Sequence, residues 1–265
     1  MTDIELLNTK ALEMRKRILW LSLKAGASGA HIGGSLSMVE ILEALYDVAN
    51  ITKDAKRDRI VLSKGHGALA LYTILEQKGL LSAEEVETFE TNGTHLFAHA
   101  SRDLDKGIEF SGGSLGLGIS FATGVAMACK AKELGNHIYV IVGDGECNEG
   151  VFWESLAAIH QFDLDNMTII VDNNGLQADG FTKEIIDLSP MDEKLKAFGF
   201  EAMVVDGHNI DDIRNALTKR VEGKPVAIIA NTVKGKGVSF LENTAAWHHG
   251  VLNQKKYDKA MEELL

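Results

Sequence analysis

The sequence predicts an α/β fold: a doubly wound, mainly parallel sheet with helices on both faces. Three observations carry that prediction. Four short runs are rich in Val or Ile and apolar on both faces, as strands covered by two helical layers must be. They are HIYVIV (137–142), MTIIVD (167–172), EAMVVDG (201–207) and PVAIIANT (225–232). Helical patterns lie between them, and strand–helix alternation implies right-handed crossovers. Only two prolines occur, Pro190 and Pro225, and neither a Ser/Gly/Pro-rich linker nor an internal repeat divides the chain, so residues 1–265 read as one domain.

In chain order, a helix is expected over 4–25 and a second over 38–49. A weaker apolar run, RIVLSKG (59–65), is a candidate fifth strand, followed by helix 67–78. Helix 114–133 leads into strand 137–142, and helix 150–161 joins that strand to 167–172. Helices 191–198 and 210–221 precede the last two strands. In such sheets ligands collect at the carboxyl ends of the strands, so the turns there are the candidate site.

Composition narrows the function. A net charge of −11 argues against non-specific nucleic-acid binding, which needs basic surface. Two cysteines, Cys129 and Cys147, form no CxxC and no disulfide framework; their usage fits a reducing cytosol, and a cytoplasmic location is expected. The N-terminus lacks the apolar core of a signal peptide, and no stretch approaches the roughly 20 apolar residues of a membrane span.

The strongest local pattern is at two strand ends. HIYVIV runs into GDGECNEG (143–150), and a helix follows from near Val151. MTIIVD ends in NNGLQADG (173–180). Asp144 and Asn174 are about thirty residues apart, the length of one βαβ unit. Adjacent parallel strands would bring them together as an oxygen-rich site for a hard cation: a carboxylate from Asp144, an amide oxygen from Asn174 and a backbone carbonyl from Leu176. Gly143 and Gly145 let backbone approach a bulky anion, and the following helix N-terminus favours negative charge. GGSLGLG (112–118) is not GxGxxG and no GxxxxGK[ST] exists, which disfavours dinucleotide and P-loop nucleotide binding.

GDG followed by NN resembles the signature of thiamine-diphosphate enzymes. Over nearly its whole length the chain resembles the N-terminal, diphosphate-binding domain of transketolases. The matching segments are SGAHIGGSLSMVEIL (28–42, with Ile32 in place of the family's proline), SKGHGALALY (63–72), SGGSLGLGISFATGVAMA (111–128) and TVKGKGVSFLENTAAWHHG (232–250). The resemblance implies thiamine diphosphate with Mg2+ or Ca2+, the ion on Asp144, Asn174 and the Leu176 carbonyl. It implies diphosphate or thiamine contacts from His66, Ser114, Leu115, Gly116, Gly143, Gly145 and Glu146. It places His31 and His99 near the reacting carbons. His249, preferred to His248 because Gly250 follows it, would face diphosphate or substrate hydroxyls. Glu149 would join a carboxylate network at a subunit interface. His95, His137, His160 and His208 read as structural or surface residues, Cys147 is given no role, and Ala122, Gly124, Ala126 and Ala128 mark close helix packing.

Full-length transketolases continue through pyrimidine and C-terminal domains. The resemblance therefore implies a separate C-terminal transketolase subunit carrying the pyrimidine domain, in a two-plus-two assembly working on sugar phosphates. A 1-deoxyxylulose-5-phosphate synthase relative, a specialised sugar transketolase and a non-catalytic metal-diphosphate module are the alternatives.

Overall fold

The computed structural model describes residues 2–265. Its sheet has five parallel strands: β1 (Arg59–Leu62), β2 (Ile138–Gly143), β3 (Met167–Asn173), β4 (Glu201–Asp206) and β5 (Val226–Asn231). They lie in the order β1-β2-β3-β5-β4, so the RIVLSKG run is a true edge strand, trimmed to four residues. β2, β3 and the first five residues of β5 are buried or nearly so on both faces, which explains their unbroken Val/Ile character.

Eleven α-helices are described: α1 (Asp3–Lys24), α2 (Ile32–Leu36), α3 (Val39–Val48), α4 (Ala68–Gln77), α5 (Ala83–Val86), α6 (Leu117–Ala131), α7 (Gly150–Gln161), α8 (Thr182–Ile185), α9 (Met191–Ala197), α10 (Ile210–Leu217) and α11 (Gln254–Glu263). α1 opens on a capping box in which Thr2 and Glu5 exchange side-chain-to-backbone hydrogen bonds. The sheet separates two cores. Tyr139, Ile141, Ile170 and Ile228 face α1, α3 and α4, while Val140, Val142, Ile169 and Val171 face α6 and α7. This is the doubly wound arrangement, with alternate strand residues feeding opposite layers.

Two expected helix boundaries move. α6 starts at Leu117 rather than 114, because Gly116 sits at φ +80° as its cap and ends the preceding loop. α10 stops at Leu217, where Thr218 caps it, and Val221 turns back to pair with Lys224. α11 and the one-turn helices α2, α5 and α8 are additions. α11 is capped by Asn253 and fully buries only Ala260, with Tyr257 and Met261 partly buried against the core, so its apolar face is too thin to stand out in sequence.

Candidate active site

The register of β2 and β3 aligns Gly143 with Asp172, so the GDG and NNG turns leave the sheet side by side. Asp144 is 5% exposed. Its Oδ1 accepts from the Gly145 N–H at 2.8 Å, and its Oδ2 accepts from the Gly175 N–H at 2.6 Å and the Thr182 hydroxyl at 3.1 Å. Burial and the nearby Asp172 push the Asp144 carboxyl above its ordinary value. Asn174 accepts from the Leu176 N–H through Oδ1 at 3.1 Å and donates through Nδ2 to Asp172 at 3.2 Å. Asp144, Asn174 and Leu176 line one cavity of about 260 Å3, with Gly143, Gly145 and Glu146.

A buried ionic layer supports this floor. Lys64 and Asp172, both with no side-chain exposure, form an ion pair. Asp172 also accepts from the Ser37 hydroxyl at 2.6 Å and from Thr232. Lys64 and these hydrogen bonds hold its carboxyl below the usual range against complete burial. Lys234, 2% exposed, donates to the Leu176 carbonyl at 2.7 Å and contacts His248 Nδ1 at 3.0 Å. Burial, with Lys64 close by, brings the Lys234 ammonium down to about 8. Neither lysine stands out in the sequence; a lysine in SKGHG or TVKGKG looks like ordinary surface, and only three-dimensional burial reveals it.

Five histidines converge on the same wall. The His31 ring lies 4.7 Å from His249, 5.0 Å from His99, 5.4 Å from His248 and 6.1 Å from His66, centroid to centroid. Burial, then the neighbouring imidazoles of His249, His99 and His248, lowers His31 to about 3. Burial and Lys64 take His66 well below the ordinary value, and burial with Lys234 takes His248 to about 4. These rings are neutral at pH 7 and can donate or accept hydrogen bonds. His31 Nδ1 is buried with no hydrogen-bond partner among the described residues. His31, His66, His99 and His248 line the cavity; His249 is exposed and does not. The sequence choice between the WHHG histidines thus differs from the geometry: the turn Ala245–Trp247 points His248 inward onto Lys234, and His249 packs beside Gly29 at the surface. His95, His137, His160 and His208 all lie outside the cavity.

The remaining expected contacts divide. Leu115 lines the cavity, but Ser114 is exposed and does not reach it. Gly116 is buried away from it, pinned because a Cβ there would meet Val151 at 2.4 Å. Glu146 is 2% exposed and spends its carboxylate inside the protein. It accepts from the Ser63 hydroxyl at 2.5 Å, the Gly116 N–H at 2.7 Å and the Gly143 N–H at 3.1 Å. It clamps three site loops together rather than offering free oxygens to a ligand. Glu149 is exposed at the start of α7, outside the cavity.

The donor set suits a hard divalent cation with a polyphosphate. Among the described residues no three His, Cys, Asp or Glu side chains cluster as metal ligands. A cation here would rest on one carboxylate, one amide oxygen and one backbone carbonyl, leaving positions for water and phosphate, as Mg2+ prefers. Gly143 lines the cavity, and a Cβ on it would meet nothing nearer than 3.9 Å, so any side chain would occupy ligand space.

Known proteins share this architecture. The family model described as "Transketolase, thiamine diphosphate binding domain" matches residues 9–264. The chain is 39% identical to an apulose-4-phosphate transketolase subunit of Phocaeicola vulgatus, covering 99% of this chain and 95% of that one. It is 43% identical to a 6-deoxy-6-sulfo-D-fructose transketolase subunit of a Clostridium species, over 88% of each. The crystal structure of transketolase from Campylobacter jejuni superposes with a TM-score of 0.91 at 30% identity, covering 99% of this chain and 43% of that chain. With the strand-end motifs and the whole length accounted for, the chain belongs to the transketolase family, as a thiamine-diphosphate-binding domain.

Proposed function

We propose that this chain is one subunit of a split transketolase, moving a two-carbon ketol unit from a ketose phosphate to an aldose phosphate together with a C-terminal partner subunit. One observation carries the reading: the cation oxygens of Asp144, Asn174 and Leu176 and the four histidines His31, His66, His99 and His248 share a single cavity. The cavity, about 260 Å3, falls below the roughly 300–1,000 Å3 usual for a complete ligand site, as expected of half a cleft. The chain spans nearly all of the Phocaeicola relative, itself named as a subunit, but under half of the Campylobacter transketolase, which supports a separate partner; a two-plus-two assembly is part of the proposal.

Thiamine diphosphate, when bound, supplies the carbon nucleophile and the electron sink for the ketol fragment. Asp144, Asn174 and the Leu176 carbonyl would hold its Mg2+ or Ca2+, with Gly143 and Gly145 against the diphosphate. Lys234 and His248 add positive and hydrogen-bonding character beside the phosphates. His31 presents an uncommitted Nδ1, suited to a substrate hydroxyl, and His99 stands beside it to hold or move a proton there. Exposed Glu149 is free to meet the partner.

A specialised sugar is favoured over the common pentose phosphates by the two relatives above, which are named for apulose-4-phosphate and 6-deoxy-6-sulfo-D-fructose. The test is co-purification with a candidate partner and ketol transfer on a panel of sugar phosphates. Transfer by the pair and none by either chain is expected. Full transfer by this chain alone, or none by the pair with any sugar, contradicts the proposal.

A further inference from the structure

We infer that Asp172 is a positioning residue for the cation site, fixing the amide of Asn174 so that its oxygen, not its NH2, is offered to the metal. The inference rests on the reading that Asp144, Asn174 and the Leu176 carbonyl hold a cation.

The two ends of an asparagine amide are nearly isosteric, so only hydrogen-bond partners decide which way it faces. Asp172 decides it here. The residue is fully buried beneath the site. Its Oδ2 faces the Lys64 ammonium, the Ser37 hydroxyl at 2.6 Å and Asn174 Nδ2 at 3.2 Å, and its Oδ1 faces the Thr232 hydroxyl. A carboxylate held by an ammonium can only accept, so only the NH2 end of Asn174 can meet it. The amide oxygen is left on the Leu176 side, where it accepts one N–H at 3.1 Å and keeps a lone pair free. Lys64 also donates to the Gly34 carbonyl at 2.9 Å, and a Cβ on Gly34 would strike His66 at 2.8 Å. The same ion pair therefore indexes the cation floor to the histidine wall. Buried ion pairs can often be replaced by apolar residues without loss of stability, so stability alone does not call for these charges.

The test compares wild type, Asp172→Asn and the double variant Lys64→Met/Asp172→Asn, each as the full chain with any co-purified partner. Thiamine diphosphate is titrated by calorimetry with and without Mg2+. In Asp172→Asn the new amide can present its own NH2 to Asn174 and release the flip. The metal-dependent gain in affinity is expected to fall about 10–100-fold, the usual cost of losing a ligand's supporting partner, with metal-free affinity unchanged. The double variant leaves no unpaired buried charge; it should melt above Asp172→Asn and show the same loss. A folded variant with the wild-type metal response overturns the inference. So does a loss in the single variant that the double restores, since affinity would then be following stability. Wild type showing no metal-dependent binding would instead refute the site reading itself, and the role of Asp172 with it.

Discussion

Replacing Glu146 by glutamine removes one oxygen from a buried carboxylate that three loops share. The carboxylate accepts from the Ser63 hydroxyl, the Gly116 N–H and the Gly143 N–H, and offers nothing that can donate. A glutamine has one oxygen and must turn its NH2 toward at least one of those donors. The least costly placement keeps Ser63 and Gly116 and sets the NH2 against Gly143. That orphans a buried donor, at about 1–3 kcal/mol, and weakens two bonds that the charge had strengthened. Against this, burial pushes the Glu146 carboxyl above its ordinary value, so neutralising it returns part of the cost. The net expectation is about 2 kcal/mol of destabilisation. At about 2.1 cal/mol/K per residue, 265 residues have an unfolding entropy near 0.56 kcal/mol/K, so the melting temperature should fall by about 4 °C. Thermal unfolding followed by circular dichroism measures it. A melting temperature unchanged within about 1 °C, together with a selective loss of cofactor affinity, would refute the clamp and restore Glu146 as a ligand contact.

Gly118→Ala should destabilise by about 1–3 kcal/mol although alanine ordinarily favours a helix, because its Cβ would lie 2.6 Å from Ser63 Cα; chemical denaturation checks the sign. His99→Ala should lower turnover about 100-fold while leaving thiamine diphosphate affinity nearly unchanged, and wild-type kinetics would remove His99 from the proton chemistry. His31 and His248, at about 3 and 4 in the fold against 6.5 unfolded, bind fewer protons folded than unfolded, so their contribution is fully present above pH 6.5 and is lost as pH falls toward 4. Proton NMR should show both imidazoles still neutral at about pH 5.5, between the folded and unfolded values; either ring titrating near 6.5 would contradict their burial.

The fold is legible because a parallel sheet covered on both sides must be written as continuous Val/Ile runs, and β2, β3 and β5 are. The pairing of Asp144 with Asn174 is legible because a βαβ unit fixes both the separation and the side of the sheet. What escapes shares one cause: the signal depends on burial that no local pattern encodes. Lys64, Asp172 and Lys234 are fully or almost fully buried ions within motifs that point to other residues. His248 and His249 are neighbours, and only the path of the Ala245–Trp247 turn separates the inward ring from the outward one. The resemblance implies Glu146 as a ligand contact; two of its three donors, Ser63 and Gly116, come from loops far off in the chain.

The most direct measurement is a crystal soaked with thiamine diphosphate and Mn2+, with data collected at the manganese edge. The account predicts one anomalous peak within about 2.0–2.3 Å of an Asp144 carboxylate oxygen, the Asn174 amide oxygen and the Leu176 carbonyl, with diphosphate oxygens completing the shell. A peak elsewhere, or a bound diphosphate with those three oxygens turned apart, would contradict it.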